Sequence, residues 1–349
     1  MLTSRNIARH SMAIWLHCLY LFGFVSCLER QWICLKTPPS SFRELHTSCS
    51  GSQCYSLHLF SCYNEDCCTL NSYDGTRNFT VFGRGRNLSI VPDIQINEAS
   101  GLAASRLHPG VLYTHNDSGD RARIFALDSE DGRMLAQYQV LPADHHDWED
   151  MAVGVCPSEA GSCIYIGDIG GNYGTTGSVK NIYVVKEPDV ISGDGTLNLL
   201  AKVHYNWNVY DIETLMVDPS GDVILISKVQ GGRGQVGIIP SEAFNTSHSS
   251  YNITSSLTLN IPKTDNVDPL GGDISPNGRE VVLRTHHKIY YWMVSNGEYL
   301  STLNNTEPTE VPQINEPQGE AVAWDARGEG YYTLSEREKQ PLYYFRRLL

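Results

Sequence analysis

The sequence predicts an all-β protein, a five-bladed β-propeller with a small disulfide-rich module at its N-terminus, and three observations lead there. One phrase is written five times: an acid or hydroxyl, a short apolar strand, a tight turn, a second short strand, a polar end. The repeat is about 50 residues long and built from short strands, the mark of a propeller, whose blades bury their faces only against one another. The last repeat is one strand short, and an extended segment lies ahead of the first. That N-terminal strand is expected to complete the last blade and so remove the open edges of the ring.

In chain order, residues 1–27 read as a secretion signal: Arg5 and Arg9, then a mostly apolar Met12 to Phe24, then small residues before Leu28. The apolar run is short for a membrane span, and no later stretch is long enough for one, so no span is expected after removal of the signal. An uncleaved anchor is the alternative. Residues 28–78 form a cysteine-rich module holding Cys34, Cys49, Cys54, Cys62, Cys67 and Cys68, whose pairing the sequence does not fix. With Cys156 and Cys163 the count outside the signal is even, as a secreted, oxidised protein requires. Residues 79–349 form the propeller domain.

Within 79–97, Leu88-Ser-Ile90 and Ile94-Gln-Ile96 alternate as strands do. The first blade follows as Leu102–Ala104, Val111–Thr114, Ile124–Leu127 and Leu135–Val140. The second is Met151–Val153, Ile164–Ile166, Ile182–Val185 and Ala201–Tyr205, and the third Leu215–Val217, Val223–Ile226, Val236–Ile239 and Leu257–Ile261. The fourth is Gly272–Ile274, Val281–Leu283, Ile289–Met293 and Val311–Ile314; the fifth is Ala321–Trp324, Tyr331–Leu334 and Leu342–Phe345. A sixth blade would have to borrow strands from the cysteine module. In blade two the first turn is Cys156 to Cys163, a pair expected to form a disulfide across one hairpin.

The net charge of −13, becoming −15 without residues 1–27, argues against a nucleic-acid partner, whose phosphates would be repelled. No G-x-S-x-G, H-E-x-x-H or P-loop is present. Gly232-Arg-Gly234-Gln-Val-Gly237 spells a dinucleotide fingerprint but leads into a strand, and so reads as a hairpin loop. Chemistry is expected instead where the repeats converge. Alignment on the first turn places Ser100, Glu149, Glu213 and Glu320 at one equivalent position at the start of the innermost strand, facing the ring axis. Hard, charged oxygen ligands suit Ca²⁺. Blade four departs, with Leu270 there and Asp268 and Asp273 nearby. The alternative reading has these acids capping strand ends.

A second ring, at the ends of the next strands, holds Asn116, Asp117, Asp168, Lys228, Arg284, His286 and Glu336. Asp117 and Asp168 are the candidate catalytic carboxylates. Lys228, Arg284, His286 and Glu336 are the candidate contacts to a small polar or anionic ligand. Asn116 is also a glycosylation sequon, expected bare if it faces the mouth. A watery, salt-bridged channel is the alternative.

The motifs Asn97-Glu98-Ala-Ser100-Gly101-Leu102, His115-Asn116-Asp117-Ser118-Gly119, Asp147-Trp148-Glu149-Asp150, Gly167-Asp168-Ile169-Gly170 and Gln318-Gly319-Glu320 resemble those of a group of secreted bacterial and animal propellers of poorly defined activity. The plan is also similar to that of the calcium-activated apyrases, five-bladed propellers of the secretory pathway that hydrolyse nucleoside diphosphates. That resemblance implies a central Ca²⁺ among Ser100, Glu149, Glu213 and Glu320, with Leu270 departing from the cage. Six-bladed TolB-like and gluconolactonase-like propellers share the general plan. The expectation is therefore a secreted, calcium-binding propeller. It would act as a hydrolase of a small phosphorylated or anionic substrate, or else as a non-catalytic extracellular binding or matrix glycoprotein in which calcium is structural.

Overall fold

The computed structural model describes residues 80–171, 180–229, 233–262 and 268–348, with the backbone of three strands ahead of them. The signal expected over 1–27 and the bridges expected among Cys34 to Cys68 lie outside the described residues. The chain divides into two compact units, residues 1–84 with 347–349, and residues 85–346. In the first, β1 (His46–Ser50), β2 (Gln53–Tyr63) and β3 (Asp66–Leu70) make an antiparallel sheet. Phe82 bridges Arg347, whose guanidinium lies 5.4 Å from the ring centre.

The second unit is the propeller. It opens with β4 (Arg86–Ile90), whose partner comes at the far end of the chain. Blade one is β5 (Ala99–Ala104), β6 (Val111–Asn116), β7 (Arg123–Asp128) and β8 (Met134–Leu141); blade two is β9 (Trp148–Val155), β10 (Ser162–Asp168), β11 (Lys180–Lys186) and β12 (Gly193–Trp207). Blade three is β13 (Ile212–Val217), β14 (Val223–Ser227) and β15 (Gln235–Ile239), followed by β16 (His248–Ile253) and by β17 (Leu257–Thr258), which completes it. Blade four is β18 (Pro269–Ile274), β19 (Glu280–Thr285), β20 (Ile289–Met293) and, after helix α1 (Tyr299–Asn305), β21 (Thr309–Val311). Blade five is β22 (Gly319–Trp324), β23 (Gly330–Ser335) and β24 (Pro341–Arg346), and β4 pairs antiparallel with β24 to give it a fourth strand.

The innermost strands close a ring: β5 packs on β9, β9 on β13, β13 on β18, β18 on β22 and β22 on β5. Each blade is therefore covered on both faces. That explains why β5, β6, β13, β14, β18 and β19 are buried at every position and read as near-continuous apolar runs. The core lies between the blades. Tyr113 and Ile124 of blade one meet Met151 and Ile164 of blade two, and Tyr165 and Ile182 meet Leu215 and Leu225 of blade three. Met216 and Ile226 meet Val281 and Trp292, and Ala321 and Leu334 meet Leu102 and Phe125. Burying each such aliphatic or aromatic side chain stabilises by about 1.5–3 kcal/mol.

Three details differ from the sequence reading. Ile94 to Ile96 is a turn, and the strand ahead of it starts at Arg86. The outer strand of blade four is displaced to Thr309–Val311 because α1 inserts before it, burying Tyr299, Thr302 and Leu303. The long β12 runs parallel to β8 from Gly193 to Asn198, then joins blade two, and carries β16 on its other side; this fuses blades one and two into one sheet. The Cys156–Cys163 disulfide spans the first turn of blade two, with Cα atoms 4.9 Å apart. The matching turns of blades three and four instead close on Gly221 and Gly278, at φ 87° and 69°. A side chain is strained in that left-handed region.

Candidate metal centre at the mouth of the ring

Every innermost strand breaks register at the same place. The pairing skips between Ala99 and Leu102, between Trp148 and Met151, between Ile212 and Thr214, between Pro269 and Gly271, and between Gly319 and Ala321. The residues left in these bulges include Ser100, Glu149, Glu213, Leu270 and Glu320. A bulge releases a side chain from the alternation of the ladder and re-aims it. Here five bulges at one depth turn their side chains to a common mouth, four of them oxygen-bearing. Leu270 leaves blade four without a ligand at this level.

The structure brings these residues into two groups. Glu149 and Glu213 converge with Asp211, one oxygen from each lying within 4.8 Å of the others; Glu149 also converges, on the same criterion, with Asp117 and Asp147. Ser100 and Glu320 form the other group. Ser100 Oγ donates to the Glu149 carbonyl at 2.5 Å and to Glu320 Oε2 at 3.3 Å, and Glu320 shares a further hydrogen bond with Glu336. Lys228 Nζ donates to Glu213 Oε1 at 2.9 Å. Gly170 closes the site from beneath: a Cβ on it would stand 2.0 Å from Glu149 Oε1 and 2.5 Å from Asp147 Oδ2.

The electrostatics follow from crowding. Burial first, then Glu213, Asp117, Asp147 and Glu320, push the Glu149 carboxyl well above its ordinary range. Burial raises Glu213 to about 8 against the pull of Lys228. Glu320 rises to about 8 through burial and Glu336, Glu336 to about 7 through burial, and Asp117 to about 7 through burial with Asp147, Glu320 and Glu98 adding to it. The Lys180 amine is lowered to about 8 by burial, opposed by Asp211, Glu149, Asp147 and Glu213, and donates to the carbonyls of Ile169 at 2.9 Å and Tyr210 at 2.6 Å. Carboxylates held this close stay ionised together only with a cation among them.

The second ring divides by register. Asp117, Lys228 and Glu336 each follow the last residue of a second strand. Each donates its backbone N–H to the chain two residues ahead of a bulge, at Glu98, Asp211 and Gln318. Their side chains lie at the mouth. Asp168 and Arg284 sit one and two positions earlier in their blades. In a strand, an offset of one residue turns a side chain to the other face. Asp168 is buried and accepts from the N–H groups of His146 at 3.2 Å and Asp147 at 2.9 Å, with His146 Nδ1 at 3.0 Å; it shapes the loop that carries Asp147. Arg284 is buried against Glu316 at 2.5 Å and donates to the Ala321 carbonyl at 3.1 Å. His286 is half-buried beside Lys228 and Asp268, and burial lowers its pKa. Asn116 is spent on structure: its Nδ2 donates to Gln95 O at 2.7 Å and Asp120 Oδ2 at 2.8 Å, and its Oδ1 accepts from the N–H groups of Asn97 and Glu98.

Asp147, Asp211 and Lys180 belong to the site though none is a candidate site residue in the sequence, where Asp147 stands only in the Asp147-Trp148-Glu149-Asp150 motif and in a His145-His146-Asp147 run read as a surface loop. The signal for the first two was present: an acid stands two residues ahead of the bulge in Glu98-x-Ser100, Asp147-x-Glu149, Asp211-x-Glu213 and Asp268-x-Leu270. Asp150, beside Glu149 in its bulge, takes a different direction. Its carboxylate accepts from Met151 N at 2.8 Å, Leu215 N at 2.9 Å and Gly272 N at 3.2 Å. It thus crosses the axis and ties the inner strands of blades two, three and four. Asp273 links blades four and five in the same manner, through Trp324 N at 2.8 Å.

No known family's sequence profile matches the chain, and no curated protein matches it by sequence. Among solved structures it is similar to the major allergen Mala s 1 of Malassezia sympodialis, with a TM-score of 0.50 and 9% identity over 73% of this chain and 95% of that one. Weaker likenesses are the PQQ-bound aldose sugar dehydrogenase of Streptomyces coelicolor (TM-score 0.44, 13% identity, 75% of this chain and 97% of that one) and Kuenenia stuttgartiensis hydrazine synthase (TM-score 0.40, 11% identity, 78% and 89%). The likeness to Mala s 1 concerns the fold alone; this chain is a β-propeller with a buried acidic cluster at the mouth of its ring.

Proposed function

We propose that this is a secreted, calcium-dependent hydrolase of a small phosphorylated or otherwise anionic substrate. The observation that carries the reading is Glu149. The residue is 3% exposed, and its carboxylate lies among the oxygens of Asp117, Asp147, Asp211 and Glu213. A buried carboxylate crowded by others is costly unless a cation joins it. Glu149, Asp211 and Glu213 are the residues that would hold the cation, with Ser100 beside them. All-oxygen donors fit Ca²⁺ or Mg²⁺ rather than Zn²⁺. When bound, such a cation polarises a substrate oxygen and makes water a better nucleophile near neutral pH.

Around it, Lys228 and His286 stand where an anionic group would approach, and Asp117 and the Glu320–Glu336 pair hold or release protons near neutrality. That is the range a general acid or base needs. The test is a phosphoesterase screen on the full chain, with Ca²⁺ and with chelator. Turnover that disappears with chelator and in Glu149→Gln supports the reading. Calcium binding without turnover on any substrate supports a non-catalytic extracellular binding protein instead. One observation favours that second reading: Arg284 is consumed by Glu316, leaving one cation fewer to face a substrate.

A further inference from the structure

Five sequons for N-linked glycosylation fall on the described residues: Asn87-Leu-Ser89, Asn116-Asp-Ser118, Asn245-Thr-Ser247, Asn252-Ile-Thr254 and Asn304-Asn-Thr306. The sugar joins the asparagine Nδ2, so the folded chain must leave that nitrogen open to solvent. Asn116 does not, being buried with its Nδ2 given to Gln95 O and Asp120 Oδ2. Asn304 is half-buried and donates its Nδ2 to the Thr258 carbonyl at 2.7 Å. Asn87, Asn245 and Asn252 are exposed. Asn206 Nδ2 donates to Asn252 Oδ1 at 2.9 Å, which orients that amide through its oxygen and leaves its nitrogen available.

These three share a kind of place. Asn252 lies on β16, which pairs with β12 on one side and with no strand on the other among the described residues. Asn245 ends the short helical turn Ser241–Phe244, just ahead of β16. Asn87 lies on β4, the last strand of the blade-five sheet. An unpaired edge is a template for a strand of another molecule, and proteins blunt it by brevity, charge, proline or a bulge. Other outer strands have such protection: β17 is two residues long, β21 is three, and β4 begins with Arg86. β16 has six residues, His248 to Ile253, with no lysine, acid, proline or break of register. Its two ends are where the sequons stand.

We propose that N-linked glycans at Asn245 and Asn252 flank the open edge of β16 and keep it from pairing with a second copy of this chain, with a third glycan at Asn87 on β4. This rests on the secretion proposed above, since the sugar is added in the secretory pathway, and is independent of the cation site. An oligosaccharide is bulky and hydrated, so one at each end of so short an edge leaves no room for a partner strand. All three stand on or beside outermost strands, whereas the mouth is built on the innermost ones, so its entrance stays clear.

The experiment expresses the full chain in a eukaryotic secreting host that keeps high-mannose glycans, and maps the glycopeptides of protein from the medium. The expected result is sugar at Asn87, Asn245 and Asn252 and bare peptide at Asn116 and Asn304. An endoglycosidase then trims the folded protein to the first sugar at each site, adding no charge. Light scattering should show a shift from the mass of the glycosylated form to larger species. The double variant Asn245→Gln with Asn252→Gln should shift in the same way, and the enzymatic trim decides the matter if that variant does not fold. Secreted protein bare at Asn245 and Asn252 overturns the proposal. Trimmed protein that keeps the association state of the glycosylated form overturns the protective role of the sugars. Protein held in the cell without sugar overturns the secretion on which the proposal rests.

Discussion

Replacing Glu320 by Gln should make the metal-free protein more stable at alkaline pH, and the structure sets the size of the gain. The folded protein holds the Glu320 carboxyl at about 8 against an ordinary 4.5, through burial and the neighbouring Glu336. Between those values the folded state binds more protons than the unfolded chain, so stability is fully present below the lower value and is lost as pH rises through the upper one. The linkage contributes on the order of 3–5 kcal/mol across that window, at about 1.4 kcal/mol for each factor of ten in proton affinity. A glutamine keeps the acceptor for Ser100 and a donor for Glu336 but cannot ionise. In chelator, Glu320→Gln and wild type should melt together near about pH 4.5. Near about pH 8.5 the variant should melt about 10 °C higher, at about 2–4 °C per kcal/mol for a domain of this size. Added Ca²⁺ should narrow the gap by stabilising the ionised wild type. Thermal melts followed by circular dichroism at both pH values check this. Equal melting at alkaline pH, or a gap of the same size at both, would refute the reasoning.

Other outcomes follow from named contacts. Gly170→Ala should weaken Ca²⁺ binding by about tenfold or more, some 1.4 kcal/mol, while leaving the melt in chelator nearly unchanged, because the added methyl collides with ligand oxygens rather than with the core. Asp150→Ala leaves three inner-strand N–H groups without their acceptor; denaturant unfolding should show a loss of about 3–5 kcal/mol, partly recovered in Asp150→Asn. The double Ser variant of Cys156 and Cys163 should lose on the order of 2 kcal/mol by the same assay, since the bridge closes only a short loop. Mass mapping of the protein from a secreting host should find Asn116 without glycan, because its side-chain nitrogen is fully used by Gln95 and Asp120.

The ring was legible because its blades are covered on both faces: Val223-Ile-Leu-Ile226 or Val281-Val-Leu283 cannot be anything but interior strand at that length. The closing strand was legible from a count, one blade being short. The helix Tyr299–Asn305 was not, because its apolar residues are too few to announce a period. At the site, alignment on the turns found the bulge positions, since in every blade but the second the bulge residue sits the same distance ahead of its turn. It did not find Asp211 or Lys180, whose place depends on how loops from separate blades fold over the mouth. Asp168 and Asp117 looked equivalent as the ends of second strands, yet one residue of register turns one to the loop that carries Asp147 and leaves the other at the mouth.

Asp150 has one more effect. With its carboxylate bonded to three blades across the middle, the ring is braced at that level. A long polymer running along the axis would have to displace that brace, so the proposed site favours free ends and small molecules. Under the hydrolase reading proposed above, product leaving and substrate arriving would share the acidic mouth, and accumulating product is expected to slow turnover.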